Sequence, residues 1–131
     1  MEEEGRPAIT VVSIGGGNEH IAICWAAEKL GAKNIKIVRD TQLALISRDK
    51  KPGNQEKLKS EVRASVEAFR VRAVVIASHR KEGSISTRAQ RSGVRRAMHT
   101  VREWNLPIKR IIGILFDEKG DEKEVSTMYI P

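Results

Sequence analysis

The stretch Ile9-Thr10-Val11-Val12-Ser13-Ile14-Gly15-Gly16-Gly17-Asn18 decides how the chain is read. Five of its first six residues are apolar or β-branched, Ser13 being the exception, and the run is short enough for a strand. Three glycines follow, and Asn18 then opens a helical pattern. Ile21, Ala22, Trp25 and Ala26 repeat at helical spacing to about Leu30, and Gly31 stops the helix. A strand that passes through glycines into a helix brings bare backbone N–H groups close to a ligand, and the helix dipole favours negative charge there. The loop is neither G-x-G-x-x-G nor a P-loop, since no Gly-Lys-Ser/Thr follows. A tight strand-to-helix turn would use the same glycines.

The strand-then-helix unit recurs along the chain. Asn34 to Val38 reads as a second strand. Thr41 to Ser47 reads as a short helix or an irregular extension, and Arg48 to Asn54 as a polar loop. Leu58, Val62, Val66 and Phe69 form one stripe of a helix over 55–69. Val71 to Ala77 is a nearly continuous apolar run, which suits a central strand covered on both faces. After a loop over Ser78 to Gly83, a long helix spans about Ser84 to Trp104. Its apolar stripe is Val94, Ala97, Met98, Val101 and Trp104, and its basic stripe is Arg88, Arg91, Arg95, His99 and Arg102. Lys109 to Phe116 is a fourth strand, Asp117 to Asp121 a turn around Gly120, and Val125 to Ile130 an edge strand. This alternation predicts a three-layer α/β domain over 8–131, preceded by a flexible segment over 1–7. The domain has a mainly parallel four- or five-stranded sheet with helices on both faces. Ligands in such sheets gather beyond the carboxyl ends of strands. Gly15–Asn18, Arg39–Gln42 and Ser78–Ser84 are therefore expected to converge on one edge.

The bulk composition excludes several classes. With 131 residues, 40% hydrophobic and 31% charged, the chain reads as globular and long enough for a core. No apolar run is long enough to span a bilayer, and the acidic start Met1-Glu2-Glu3-Glu4 does not read as a signal peptide. A single cysteine, Cys24, excludes an intramolecular disulfide and a Cys-based zinc framework, and fits a cytoplasmic setting. The formal net charge is +7, and between residues 70 and 110 only Glu82 and Glu103 oppose the basic side chains. That field attracts small anions, nucleic acid or an acidic protein face; a solvated basic surface has the same composition.

The converging segments resemble, in order, the β-class carbonic anhydrases. Where that family has Cys-x-Asp-x-Arg after its first strand, this chain has Ile14-Gly15-Gly16-Gly17-Asn18. Val38-Arg39-Asp40-Thr41-Gln42 stands at the family's Arg-Asn-Ala-Gly-Asn stretch, and His79-Arg80-Lys81-Glu82-Gly83 at its His-x-x-Cys-Gly. Gly113-Ile114-Leu115-Phe116-Asp117 is similar to the family's Gly-Trp-x-Tyr-Asp. The resemblance implies that family's fold and a homodimer. It also implies a comparison with the family's zinc site, built from Cys, His and Cys with an Asp–Arg pair. Of these positions only His79 is retained: Ile14 and Glu82 replace the thiolates, and Gly16 and Asn18 the Asp–Arg pair.

The leading expectation is a divergent, non-zinc, non-catalytic protein of this type with no cofactor. It would bind a small anion through Gly15, Gly16, Gly17, Asn18, Arg39, His79, Ser84 and Arg88. Under the alternative, a carbonic anhydrase-like lyase or hydrolase holds zinc in a rebuilt site. His20 and Cys24, one helical turn apart, would combine with His79 there. Cys24 also reads as a small buried hydrophobe, His79 as a general base or a strand-end hydrogen-bonding residue, and Ser84, Ser86 and Thr87 as helix caps. In a third reading Arg88, Arg91, Arg95 and Arg102 bind nucleic acid.

Overall fold

The computed structural model describes residues 8–14, 19–40, 45, 52–79 and 86–131, with 52–54 described as backbone. Five strands form one sheet: β1 (Ala8–Ile14), β2 (Asn34–Asp40), β3 (Ala73–His79), β4 (Arg110–Phe116) and β5 (Glu122–Tyr129). Their spatial order is β2-β1-β3-β4-β5. The first four are parallel, and β5 returns antiparallel to β4. Helices α1 (Glu19–Lys29), α2 (Pro52–Phe69) and α3 (Thr87–Glu103) make the crossovers.

Alternation along each strand divides the apolar residues between two cores. On one face Val12, Ile14, Val38, Val74, Ile76, Ile111 and Leu115 meet Leu58, Val62 and Val66 of α2 and Val94, Ala97, Met98 and Val101 of α3. On the other, Ile9, Val11, Val75, Ala77, Ile112, Ile114 and Phe116 meet Ala22, Trp25 and Ala26 of α1. Thr10, fully buried within β1, shares a 2.7 Å hydrogen bond with Ser65 of α2.

The two helical layers are tied down by polar contacts at their ends. Arg63 of α2 donates to the Trp104 carbonyl at the end of α3, at 2.8 Å, satisfying an acceptor that the helix itself leaves open. The Trp25 indole of α1 donates to Glu122 at 2.5 Å, linking α1 to β5. Gly120, in the turn before β5, has φ +87 and faces Ile21, so the turn needs both a left-handed backbone and a missing side chain.

Three expectations need correction. Helix α2 begins at Pro52, not Gln55, because proline suits the first helical position, where its missing N–H would have no partner anyway. Phe69 does not bury with its stripe. It is 47% exposed under the ammonium of Lys36, 4.0 Å from the ring centroid, because β2 is an edge strand with no neighbour to cover the ring. Cys24 is exposed on the outer side of α1, since Ala22, Trp25 and Ala26 already define the buried side. The expected flexible segment 1–7, and all of the 41–47 stretch except Leu45, lie outside the described residues. No helix among the described residues is long and apolar enough to cross a membrane.

Helix α3 packs directly over Gly113 of β4. A Cβ there would stand 2.6 Å from both Met98 Sδ and Val94 Cγ1. Gly113→Ala should therefore lower the stability of the fold by about 1–3 kcal/mol, the usual cost of overpacking. Urea unfolding should show a lower midpoint with an unchanged slope.

Candidate functional site

The parallel register brings the strand ends together. Ile14 lies opposite both Asp40 and Ser78, and His79 lies opposite Phe116. The described ends of two of the polar stretches, Arg39–Asp40 and Ser78–His79, therefore share one edge with the end of β1. Gly15, Gly16, Gly17 and Asn18 lie outside the described residues, as do Glu82 and Ser84.

Side-chain alternation sorts this edge into two sides. Arg39, His79 and Phe116 face the α1 side, and Ile14, Asp40 and Leu115 the α2–α3 side. Ile14 and His79 thus point to opposite faces of the sheet. His79 is half-buried, its ring centroid 6.5 Å from that of Phe116. Its Nε2 is closed off from solvent and has no hydrogen-bond partner among the described residues.

Two helices start at this edge, because each follows a parallel strand. Ser86 caps α3, its Oγ accepting from the Ala89 N–H at 3.2 Å. Helix α1 opens on Glu19, where a carboxylate suits the positive end of the helix. The Glu19 carboxylate receives both Nε and Nη2 of Arg39, the latter at 2.8 Å. This hydrogen bonding holds the Glu19 carboxyl below the usual carboxylate range and raises the Arg39 guanidinium in turn. Arg39, expected as an anion ligand, is thus already forked onto a carboxylate. Arg88 is exposed in the first turn of α3.

Sequence reading missed Gln90. Its buried side-chain amide donates to the carbonyls of Ser78 and Phe116 at 3.0 and 3.2 Å, clamping the ends of β3 and β4. The signal was available: Gln90 precedes Val94 by one turn and so lies on the apolar stripe, where a lone amide needs specific partners. Asp40 is also buried and accepts from the Leu45 N–H at 3.0 Å. Beyond β4, one oxygen of Asp117 accepts from the Lys119 and Asp121 N–H groups, both at 2.9 Å. Its carboxyl lies below the usual range, chiefly because of the Asp121 bond.

His20 and Cys24 are exposed on α1. Among the described residues no three His, Cys, Asp or Glu side chains gather so as to hold a metal, so His20, Cys24 and His79 do not form one cluster. Zinc needs three protein ligands or more. With Ile14 in the α2–α3 core and the lone cysteine on the outside of α1, the described residues do not fit a zinc centre.

No protein-family profile matches the chain, and no curated protein matches it in sequence. The fold is similar to the crystal structure of β-carbonic anhydrase isoform I from Trichomonas vaginalis, with a TM-score of 0.51 and 14% identity. The match covers 95% of this chain and 85% of that one. The architecture is therefore β-carbonic-anhydrase-like.

Gln90→Leu should destabilise the protein by about 1–3 kcal/mol, since two strand-end carbonyls lose their donor inside the fold. Amide exchange at the carboxyl ends of β3 and β4 should accelerate most. Asp117 tests the electrostatics. A carboxyl lowered by folding stabilises the native state at neutral pH, and that stability fades as pH falls through its folded value. Thermal melts should show wild type ahead of Asp117→Asn at pH 7, with the gap closing as the pH falls below about 4, the reference aspartate value.

Proposed function

We propose that this chain is a non-catalytic, β-carbonic-anhydrase-like protein without a zinc centre that binds a small anion at the carboxyl edge of its sheet. The observation that carries the reading is the His79 Nε2, shut away from water with no partner among the described residues. An unpaired buried polar atom costs about 1–3 kcal/mol, and an anion accepting from the ring would remove that cost. The amino-terminal ends of α1 and α3 supply further N–H groups at the same edge. Phosphate, sulfate and bicarbonate all suit that chemistry. The reading includes a homodimer, which sedimentation of the intact chain measures. It also includes a cytoplasmic location, where a lone exposed thiol stays reduced.

Two measurements on the purified protein test it. Elemental analysis without added metal should find zinc well below one atom per chain; stoichiometric, chelator-resistant zinc would sink the reading. Thermal shift against phosphate, sulfate and bicarbonate should show stabilisation by at least one of them. At a hundred times the dissociation constant the gain is about 2.7 kcal/mol. His79→Phe, which keeps the ring and removes the nitrogens, should fold and lose that response.

A further inference from the structure

Helix α3 carries five arginines, no lysine and one carboxylate, Glu103. Its core side is set by Gln90, Val94, Ala97, Met98 and Val101. At roughly 100° per residue, Arg88, Arg91, Arg95 and Arg102 fall in one row along a single flank of the helix. The ion pair of Arg91 with Glu124 of β5, at 2.5 Å, identifies this as the flank beside the edge strand. Glu124 is thereby neutralised, and Glu103 points about 100° further round than Arg102.

Arg88, Arg95 and Arg102 are exposed and have no ion pair among the described residues. They recur every seven residues, about 10.5 Å apart on a rigid helix, and the row spans about 21 Å. A duplex presents one charge per roughly 1.7 Å of its axis, so a row of this length lies alongside about a dozen phosphates. The guanidinium fork matches phosphate oxygens in pairs, which lysine cannot do.

We propose that this flank of α3 binds the phosphate backbone of a double-stranded nucleic acid. A duplex fits better than a single strand, because single-strand binding relies on large aromatic platforms and the flank carries no Trp, Tyr or Phe. Trp25, Trp104 and Phe116 are buried, and Phe69 and Tyr129 belong to other elements. A straight row on a rigid helix matches a stiff, regular array of charge. Contacts to phosphates position a duplex without reading its sequence, so the expected recognition follows the backbone. An acidic peptide is the competing occupant. Its apolar anchor would sit in the cavity lined by Val101, Leu106, Ile108 and Ile130 beside Arg102.

Fluorescence anisotropy of the full chain with labelled 24-base-pair DNA and RNA duplexes tests this. Three or four phosphate contacts predict a log–log salt slope near −3, hence about a 40- to 150-fold loss of affinity between 50 and 200 mM salt. Binding of either duplex with that slope supports the proposal, and the ratio of the two affinities identifies the backbone that fits. The variant R88Q/R95Q/R102Q should keep its melting temperature, weaken binding at least tenfold at 50 mM salt, and flatten the slope to about −1. His79→Phe should bind duplex as wild type does, which separates this surface from the anion site. A wild-type slope no steeper than −1, or a triple variant that binds as tightly as wild type, overturns the proposal. Tighter binding of a polyglutamate peptide than of both duplexes does so too, in favour of an acidic protein partner.

Discussion

Strands β1 and β3 lie side by side in the middle of the sheet, and each must bury both of its faces. Parallel neighbours also cannot be joined by a tight turn, so a crossover element has to pass over the sheet between them. Covering and connecting are therefore done by the same helices. Helices α2 and α3 seal one face and α1 the other. Because every crossover leaves from a carboxyl end, the chain reverses repeatedly at one edge. The edge's concentration of helix starts and polar side chains follows from that geometry.

Such an edge exposes strand-end carbonyls that no further ladder can satisfy. Gln90 answers this inside the fold by bridging Ser78 and Phe116 from the helix that follows β3. The donors beyond the strands are met by carboxylates: Asp40 accepts from the Leu45 amide after β2, and Asp117 from the Lys119 and Asp121 amides after β4. His79 differs from these groups, its Nε2 being unpaired among the described residues. That contrast separates a candidate ligand-facing group from the polar groups that hold the framework.

The likeness to a β-carbonic anhydrase extends over nearly the whole chain at low identity. Core positions tolerate exchange among apolar residues of similar volume, so a sheet order and its crossovers outlast the residues that specify them. A metal centre has no such tolerance. Ile14, at the end of β1, packs into the α2–α3 core, as an aliphatic side chain does wherever the pattern of alternation allows. A shared fold therefore carries no chemistry with it, and function has to be argued from the site.

Much of the architecture was legible in order along the chain. The apolar runs of β1, β3 and β4, the stripe of α3 and the turn at Gly120 all produce periodicities or turn signals within a dozen residues, which local backbone preferences are enough to read. The paired ends of β1, β2 and β3 followed from the crossover rule. What local pattern could not supply was the identity of each side chain's partner. Nothing near Arg39 in sequence announces Glu19, twenty residues earlier, as the group that takes up its guanidinium. Nothing near Gln90 announces the Phe116 carbonyl, and Phe69 matched its stripe yet fell beside an edge strand with no cover. Periodicity shows which side of an element is apolar. Only the packing of elements distant in sequence decides what that side meets, because burial and hydrogen bonding depend on distances in space that no short window of residues contains.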